Sequence, residues 1–371
     1  MPIQRPTWLP SYLPELDGLR GLAILWVVLY HCEPLLQGTW MHRVAEWGWA
    51  GVDIFFVLSG FLITANLLAA RDKPHYFHNF HARRALRIWP VYVLVLAVVY
   101  LNAPWFIGPN ASVIGAIKAA PWLAYIFFVQ NLFHLSLPSA LGPTWALAVE
   151  EQYYFFWAPV VRWLGGPKRI WALAAVLACA LISSPLLRHL NPVWLWNVPN
   201  HTLIKLDGIA LGSLMALGLY TIQLRRRVCL WLGLGAFVLG MGAAAAAVGT
   251  SLLDTALAAC FAGATLALMA STTGVPGDRS SSPGWSTGAR NSINVLLSRG
   301  PLAFYGRISY GLYMIHIAAF IFIGWFDLRM TSHGMAGSLA VVAARFAVST
   351  ALAAALWYGF ESQILKLKRY F

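Results

Sequence analysis

The chain contains a series of apolar stretches, each close to the length of a membrane span, and this repetition limits its fold more than any other feature. A helix needs about 20 apolar residues to cross the roughly 30 Å hydrocarbon core of a bilayer. Hydrophobic residues make up 59% of the 371 residues and charged residues only 11%, whereas soluble domains carry about 25% charged residues. The sequence therefore predicts an all-α, polytopic membrane helical bundle.

We predict about ten transmembrane helices, because each needs one such stretch. The predicted spans lie near residues 16–33, 49–70, 88–103, 145–163, 170–188, 201–220, 229–249, 252–271, 302–326 and 336–359. A further apolar segment, 113–133, contains Lys118, Gln130 and Asn131, and we interpret it as a re-entrant or interfacial helix. Most basic residues then lie in loops on one side, which the positive-inside rule makes cytoplasmic, together with both termini. A full crossing by 113–133 is the alternative, and it would place the 162–169 loop outside.

The whole chain, 1–371, is predicted to form a single integral-membrane domain in the cytoplasmic (inner) membrane. Residues 272–300 are rich in Ser, Gly, Pro and Arg, which predicts a flexible cytoplasmic loop within that domain. The formal net charge of +13 is carried mainly by short loops, as topology signals are, so we predict no nucleic-acid partner. His75, His78 and His81 are spaced by three residues without a neighbouring cysteine or carboxylate, and we predict no metal site.

Ionisable residues within the predicted spans are the strongest indication of a functional interior. Each costs about 2.5–3.5 kcal/mol on insertion scales unless it faces a polar interior. The set comprises Asp17, Arg20, His31, Asp53, Glu150, Glu151, Lys205, Asp207, Asp254 and Arg345. We predict that Asp17 and Arg20 pair at i and i+3. For Asp254 and Arg345 we favour structural ion pairs between helices.

Arg20 and His31 enclose ten residues that are almost wholly apolar. Eleven steps of about 100° return the two side chains to within roughly 20° of one helix face, about 16 Å apart along the axis. An imidazole titrates near neutrality and is a natural general base for an attacking hydroxyl, and Glu150 is our candidate to orient it. A hydrogen-bonded packing role for His31 remains open, as does an acyl thioester on the adjacent Cys32.

Two further segments combine polar groups in a way that suggests binding. Arg84 and Arg87 lie at the end of a predicted basic cytoplasmic loop at 75–87 and share one face at a predicted helix start. Guanidinium groups bind phosphate oxygens bidentately, although an ordinary topology signal would have the same composition. Residues 142–154 (GPTWALAVEEQYY) open a predicted span with two carboxylates, an amide and two phenols. This segment suggests the mouth of a site, with a water-facing helix end as the alternative.

These segments together resemble the acyltransferase-three family of bacterial membrane proteins, which O-acylate extracytoplasmic glycans and some small molecules. Arg20 and His31 match its arginine, ten residues, histidine pattern. The other matching segments are 16–23 (LDGLRGLA), 51–63 (GVDIFFVLSGFLI), 84–87 (RALR), 145–153 (WALAVEEQY) and 308–316 (ISYGLYMIH). Ala146 stands where the family often has serine, so a serine role at that position is not carried over.

The resemblance implies an O-acyltransferase that takes an acyl group from cytoplasmic acyl-CoA, usually acetyl-CoA, to a hydroxyl of an extracytoplasmic glycan or small molecule. It implies His31 as general base, Glu150 and Arg20 as its catalytic partners, and Arg84 and Arg87 as ligands of coenzyme A. The residues expected to line the substrate cavity are Asp17, Asp53, Tyr153 and Lys205. No hydrolase-like domain follows the last predicted span, so we expect a stand-alone form. A transporter or flippase using the same embedded charges is the rival interpretation.

Overall fold

The structure is a computed structural model that describes residues 3–10, 12–101, 122–132, 139–192, 198, 200–272, 296–331 and 334–371. Helices dominate these residues, and no strand occurs among them. The helices are α1 Pro14–Tyr30, α2 Trp40–Ala45, α3 Gly51–Ala70, α4 Tyr76–Leu101, α5 Trp122–Ile126, α6 Thr144–Leu164, α7 Ile170–Leu190, α8 Leu206–Ile222, α9 Arg226–Ala247, α10 Leu253–Thr272, α11 Pro301–Phe322, α12 Gly324–Thr331, α13 Gly334–Leu356 and α14 Ser362–Leu365. The predicted all-α bundle is confirmed.

Every predicted span overlaps at least one of these helices, and the protein is a multi-pass membrane protein. Within the described part of the chain, six helical segments are long and apolar enough to cross a bilayer: Trp40–Ala70, Tyr76–Leu101, Ile170–Leu190, Arg226–Ala247, Leu253–Ser271 and Gly334–Tyr370. The helices α1 and α8 have 17 residues each, the lower limit for a span of about 17–25 residues. The helix α6 carries Glu150, Glu151 and Gln152, which reduce its mean hydropathy.

The predicted loop at 75–87 is wrong, because helix α4 already begins at Tyr76. His75 has a left-handed backbone with φ of 53°, which ends the preceding turn and lets the helix begin immediately after it. The following residues include Ala, Leu and Arg, which are strong helix formers. Their charge makes them unsuitable for the bilayer core but does not prevent a helix from extending beyond it. Arg84 and Arg87 therefore lie within α4 rather than at its start.

Only residues 122–132 of the predicted re-entrant segment are described. They form the short helix α5 and then turns, with Phe128 in the left-handed region at φ of 53°. Gln130 is buried, and its Nε2 atom donates to the carbonyl oxygen of Thr144 at 3.1 Å. Gln130 and Asn131, two of the polar residues that made this segment unsuitable for lipid, thus lie inside the protein, and Lys118 lies outside the described residues. Most of the predicted loop at 272–300 lies outside the described residues.

The chain divides into two compact units. Unit one comprises residues 1–23, 50–74 and 149–307, and unit two comprises residues 24–49, 75–148 and 308–371.

Close helix packing in unit one depends on glycines. A Cβ atom at Gly60 of α3 would collide with the Ile209 carbonyl of α8, and one at Gly212 of α8 would collide with the Val57 carbonyl of α3. A Cβ atom at Gly306 would likewise meet backbone atoms of the segment that carries Arg20. Small residues allow membrane helices to approach this closely. Part of the 16–23 and 51–63 motifs therefore serves packing.

In unit two, the part of α11 from residue 308 onwards packs against two other segments through tyrosine hydroxyls. The Tyr310 hydroxyl donates to the Ile88 carbonyl of α4 at 2.7 Å, and the Tyr313 hydroxyl donates to the Pro143 carbonyl at 2.9 Å. Each bond gives a tyrosine hydroxyl an acceptor, and a hydroxyl without one would be costly to bury. These contacts hold one face of α11 in register with its neighbours.

Candidate active site

His31 follows the last residue of α1, and its side chain lies in unit two. Its Nδ1 atom is 2.9 Å from the Val27 carbonyl oxygen, one helical turn earlier. The same Nδ1 atom is 3.3 Å from Nε2 of His316, and the two ring centroids are 4.8 Å apart at an interplanar angle of 63°. The structure therefore joins His31 to a second imidazole, and we call His31 and His316 the histidine pair.

His316 is the last residue of the 308–316 motif and is completely buried. Its Nδ1 atom lies 2.8 Å from the Tyr313 carbonyl oxygen and 3.2 Å from the Leu312 carbonyl oxygen. His316 is not among the site residues predicted from the sequence, although the 308–316 motif contains it. The spacing of Tyr310, Tyr313 and His316 could have identified it, because residues three apart lie on neighbouring positions of one helix face.

An ion pair supports the backbone at His31. Arg345 of α13 donates from Nη2 to Oδ2 of Asp327 at 2.5 Å and from Nη1 to the His31 carbonyl oxygen at 3.3 Å. Its guanidinium carbon also lies 4.6 Å from the centroid of the Phe320 ring, a cation–π contact. The predicted structural ion pair of Arg345 is confirmed. Asp327 is not among the predicted embedded residues, because it lies just beyond the predicted span 302–326.

Arg84 and Arg87 of α4 are partly buried, and we call these two residues and Lys368 the basic cluster. Lys368 lies within electrostatic range of both arginines and of Arg83. The charge of Arg87 also acts on Glu361, which is 3% exposed and whose Oε2 atom has no hydrogen-bond partner among the described residues. Neither Lys368 nor Glu361 is among the site residues predicted from the sequence. Neither has a local motif, and folding alone brings them to α4.

Glu361 lies in the π-helical turn Trp357–Glu361, which follows α13. Such turns insert an extra residue into a helix and occur frequently at functional sites.

Arg83 is exposed and donates from Nε to the Phe371 carbonyl oxygen at 2.7 Å.

In unit one, Arg20 pairs with Asp17 of the same helix, with Nη1 and Oδ1 separated by 3.1 Å. The predicted i, i+3 pair is confirmed. The Tyr12 hydroxyl donates to the other Asp17 oxygen at 2.6 Å, and this hydrogen bond raises the pKa of Tyr12 to about 12. The Asp17 carboxylate is therefore shared between a guanidinium and a phenol.

Helices α7, α8 and α10 of unit one, with the turn before α8, carry an ionic network that we define as Arg188, Lys205, Asp207 and Asp254. Arg188 lies 2.7 Å from Asp207, and Lys205 lies 2.7 Å from Asp254. Arg188 also lies 3.7 Å from Asp254. The predicted structural ion pair of Asp254 is confirmed, with Lys205 and Arg188 as its partners. Arg188 is the last residue of its predicted span, 170–188, and is not among the embedded ionisable residues predicted from the sequence.

Asp53 of α3 is buried within electrostatic reach of all four members of the ionic network. Its Oδ2 atom has no hydrogen-bond partner among the described residues. Asp53 and Lys205, both predicted to line a cavity, are thus close neighbours in unit one.

The two remaining predicted site residues contact polar side chains of α3 and α8. Glu150 accepts a hydrogen bond from the Ser59 hydroxyl. The Tyr153 hydroxyl lies 2.7 Å from the Ser213 hydroxyl, and its ring stacks on Trp157 with centroids 5.4 Å apart. Both contacts lie inside unit one. The role of Glu150 in orienting His31 stays a prediction.

A multi-pass helical bundle with embedded polar clusters is the class of protein that these observations define. The family model described as an acyltransferase domain matches residues 13–358, so the chain belongs to the acyltransferase-three family. The family resemblance predicted from the motifs is confirmed.

Curated relatives agree with this assignment. The chain is 36% identical over 190 residues to peptidoglycan O-acetyltransferase OatA of Listeria monocytogenes, which covers 47% of the chain and 28% of that relative. It is 35% identical over 158 residues to YrhL of Bacillus subtilis, named as a candidate peptidoglycan O-acetyltransferase, which covers 39% of the chain and 23% of that relative. The matched part thus spans less than a third of either relative's length. No solved structure matches the chain.

Proposed function

We propose that the protein is a membrane O-acyltransferase that transfers an acyl group, most simply acetyl, from acyl-CoA to a hydroxyl of an extracytoplasmic glycan. Its family membership and the names of its relatives support the acyl transfer, and the two peptidoglycan O-acetyltransferase names support a glycan acceptor. The observation that carries the proposal is the geometry of His31, a family-motif histidine whose Nδ1 is held by a backbone carbonyl and a second imidazole.

The basic cluster on α4 supports acyl-CoA as the donor. Coenzyme A carries three phosphate groups, and Arg84, Arg87 and Lys368 concentrate positive charge in one place. Arginine binds phosphate through two parallel hydrogen bonds, which lysine does not make. Mutual repulsion between these cations is relieved when an anion binds between them. Arg84 and Arg87 are therefore the proposed phosphate ligands, with Lys368 beside them.

The proposed chemical step uses His31 as general base. Its imidazole takes the proton of the acceptor hydroxyl while the oxygen attacks the thioester carbonyl carbon. The tetrahedral intermediate then collapses, the carbon–sulfur bond breaks, and the departing sulfur receives the proton from His31. The products are the O-acyl glycan and free coenzyme A, and the histidine returns to its starting state. This direct route needs no acyl thioester on Cys32.

The contacts in unit one support different functions for the other predicted residues. Lys205 is held by Asp254 and Tyr153 by Ser213, so we assign both to the support of the bundle. Asp17 orients Arg20, which we retain as a candidate to bind the donor or polarise the thioester. Asp53 and Glu150 remain proposed cavity and catalytic residues.

The proposed topology places the donor site in the cytoplasm and the acceptor outside, in an inner membrane with cytoplasmic termini. The excess of basic residues on one side of the predicted spans supports this orientation.

Purified protein in lipid vesicles tests the proposal. With radiolabelled acetyl-CoA and soluble peptidoglycan fragments or other glycans, we expect thiol release coupled to labelled glycan. The His31→Ala variant should release neither. Movement of unmodified glycan across the vesicle membrane without thiol release would overturn the proposal in favour of a transporter.

A further inference from the structure

The proton positions in the histidine pair follow from its carbonyl neighbours. Nδ1 of His316 faces the carbonyl oxygens of Tyr313 and Leu312, at 2.8 Å and 3.2 Å. Carbonyl oxygens only accept hydrogen bonds, so this nitrogen carries the proton. A neutral imidazole with its proton on Nδ1 has a lone pair on Nε2. His316 therefore presents an acceptor to its partner ring.

The same reasoning shows which ring nitrogen of His31 carries the proton. Its Nδ1 atom faces the Val27 carbonyl oxygen at 2.9 Å and the His316 Nε2 lone pair at 3.3 Å. Both neighbours are acceptors, so Nδ1 of His31 carries a proton that it shares between them. The lone pair of neutral His31 is then on Nε2, and this atom makes no hydrogen bond to another described residue.

We propose that His316 is a positioning residue that, together with the Val27 carbonyl, holds His31 in the tautomer in which Nε2 is the base. This inference rests on the proposed acyl transfer. When Nε2 of His31 takes the hydroxyl proton, the ring becomes an imidazolium and its Nδ1–H becomes a stronger donor to His316. When the proton passes from Nε2 to the leaving sulfur, His31 becomes neutral again. His316 keeps its single proton on Nδ1 throughout.

The surroundings explain why a neutral ring suits this position. The nearby positive charge of Arg345 is already matched by Asp327 at 2.5 Å. A carboxylate at 316 would add an unmatched negative charge to a completely buried site, which is costly. A second proton on His316 would set a donor against the Nδ1–H donor of His31. His316 therefore serves His31 as a neutral acceptor. In serine hydrolases a charged carboxylate takes the corresponding place beside the catalytic histidine.

Two substitutions separate hydrogen bonding from packing. His316→Phe keeps a ring without an acceptor, whereas His316→Gln can place its amide oxygen near the former Nε2 position. Because a hydrogen bond to a charged group is worth about 1.5–3 kcal/mol, we expect His316→Phe to lower kcat roughly 10- to 100-fold. KM for acetyl-CoA should stay near the wild-type value, and His316→Gln should recover most of kcat. Wild-type kcat in His316→Phe, or equal losses in both variants, would overturn the positioning role.

A spectroscopic measurement tests the tautomer without turnover. In protein labelled with ¹⁵N-histidine in lipid nanodiscs, the His31 signals are assigned by their loss in His31→Ala. We expect a protonated Nδ1 and an unprotonated Nε2 in the wild type. In His316→Phe the Val27 carbonyl still accepts from Nδ1, so we expect the same tautomer to predominate but in a smaller excess. A protonated Nε2 on neutral wild-type His31 would overturn the inference. Wild-type protein without thiol release would instead overturn the proposed function, and with it the catalytic role of His316.

Discussion

The histidine pair of unit two and the ionic network of unit one are both embedded polar clusters, but their bonding differs. In the ionic network each carboxylate lies against a cation, with Asp207 bound to Arg188 and Asp254 bound to Lys205. In the histidine pair, Nδ1 of His31 contacts Nε2 of His316. This contact orients the His31 ring, whose own Nε2 makes no hydrogen bond to another described residue. A balanced network stabilises a fold, whereas an oriented atom with a lone pair is available for chemistry.

Asp53 belongs to neither of these two kinds of cluster. It lies beside a balanced network, yet its Oδ2 atom is buried without a hydrogen-bond partner in the described residues. The pairing of each carboxylate with a cation therefore holds for the four defined members of the network, and Asp53 keeps its proposed place in the cavity.

The largest effect is expected from His31→Ala. If His31 is the general base, acyl transfer should fall about 10²- to 10⁴-fold, because this is the usual contribution of a positioned base. Steady-state thiol release measures the rate, and size-exclusion chromatography and thermal unfolding verify the fold. His189→Ala is a matched control, since this histidine is exposed at the end of α7. Near-normal turnover in folded His31→Ala would remove the distinction between the two clusters.

Arg188→Leu should have the largest effect on stability. It leaves Asp207, which is 3% exposed, without its cation, and breaking a buried pair in this way costs about 3–5 kcal/mol. Adding Asp207→Leu should recover part of the loss, because no uncompensated charge then remains at that position. Thermal unfolding in detergent compares the variants. Unfolding temperatures unchanged by Arg188→Leu would show that the network does not support the fold.

The next effect concerns the donor site on α4. Replacing Arg84 or Arg87 with lysine preserves the charge but removes the planar fork, so we expect coenzyme A affinity to fall roughly 10- to 100-fold, since each charge-assisted bond is worth about 1.5–3 kcal/mol. Arg83→Lys is the matched control, because Arg83 already donates to the Phe371 carbonyl. Calorimetric titration of coenzyme A measures all three variants. Unchanged affinity in Arg84→Lys and Arg87→Lys would return the pair to an ordinary topology signal.

The sequence predicted the helices well, because twenty-residue apolar stretches have few alternatives in a bilayer. It misjudged α4, since hydropathy indicates where lipid begins and not where a helix begins. The Asp17–Arg20 pair was predictable because both residues share one helix.

The partners of His31 and Arg87 were harder to predict, because no local spacing encodes them. His316 lies 285 positions from His31 in the sequence, and Glu361 reaches α4 only in the folded chain. Long-range pairings of this kind depend on how helices pack. A single sequence with hydrophobic periodicity does not specify that packing, although the 308–316 motif marked one of the residues.

The smallest effect is expected from Tyr313→Phe, and it tests whether the face of α11 acts as a unit. Tyr313 lies on the same face as His316, but its hydroxyl donates to the Pro143 backbone carbonyl. Loss of one such hydrogen bond costs about 0.5–1.5 kcal/mol, so we expect a small fall in the unfolding temperature. Because this bond anchors a backbone and does not touch the histidine pair, kcat should change little, in contrast to His316→Phe. Parallel unfolding and turnover assays of the two variants make the comparison. A loss of kcat in Tyr313→Phe as large as that in His316→Phe would mean that the motif holds His31 through the placement of the whole helix, and that the bond between the two imidazoles has no separate role.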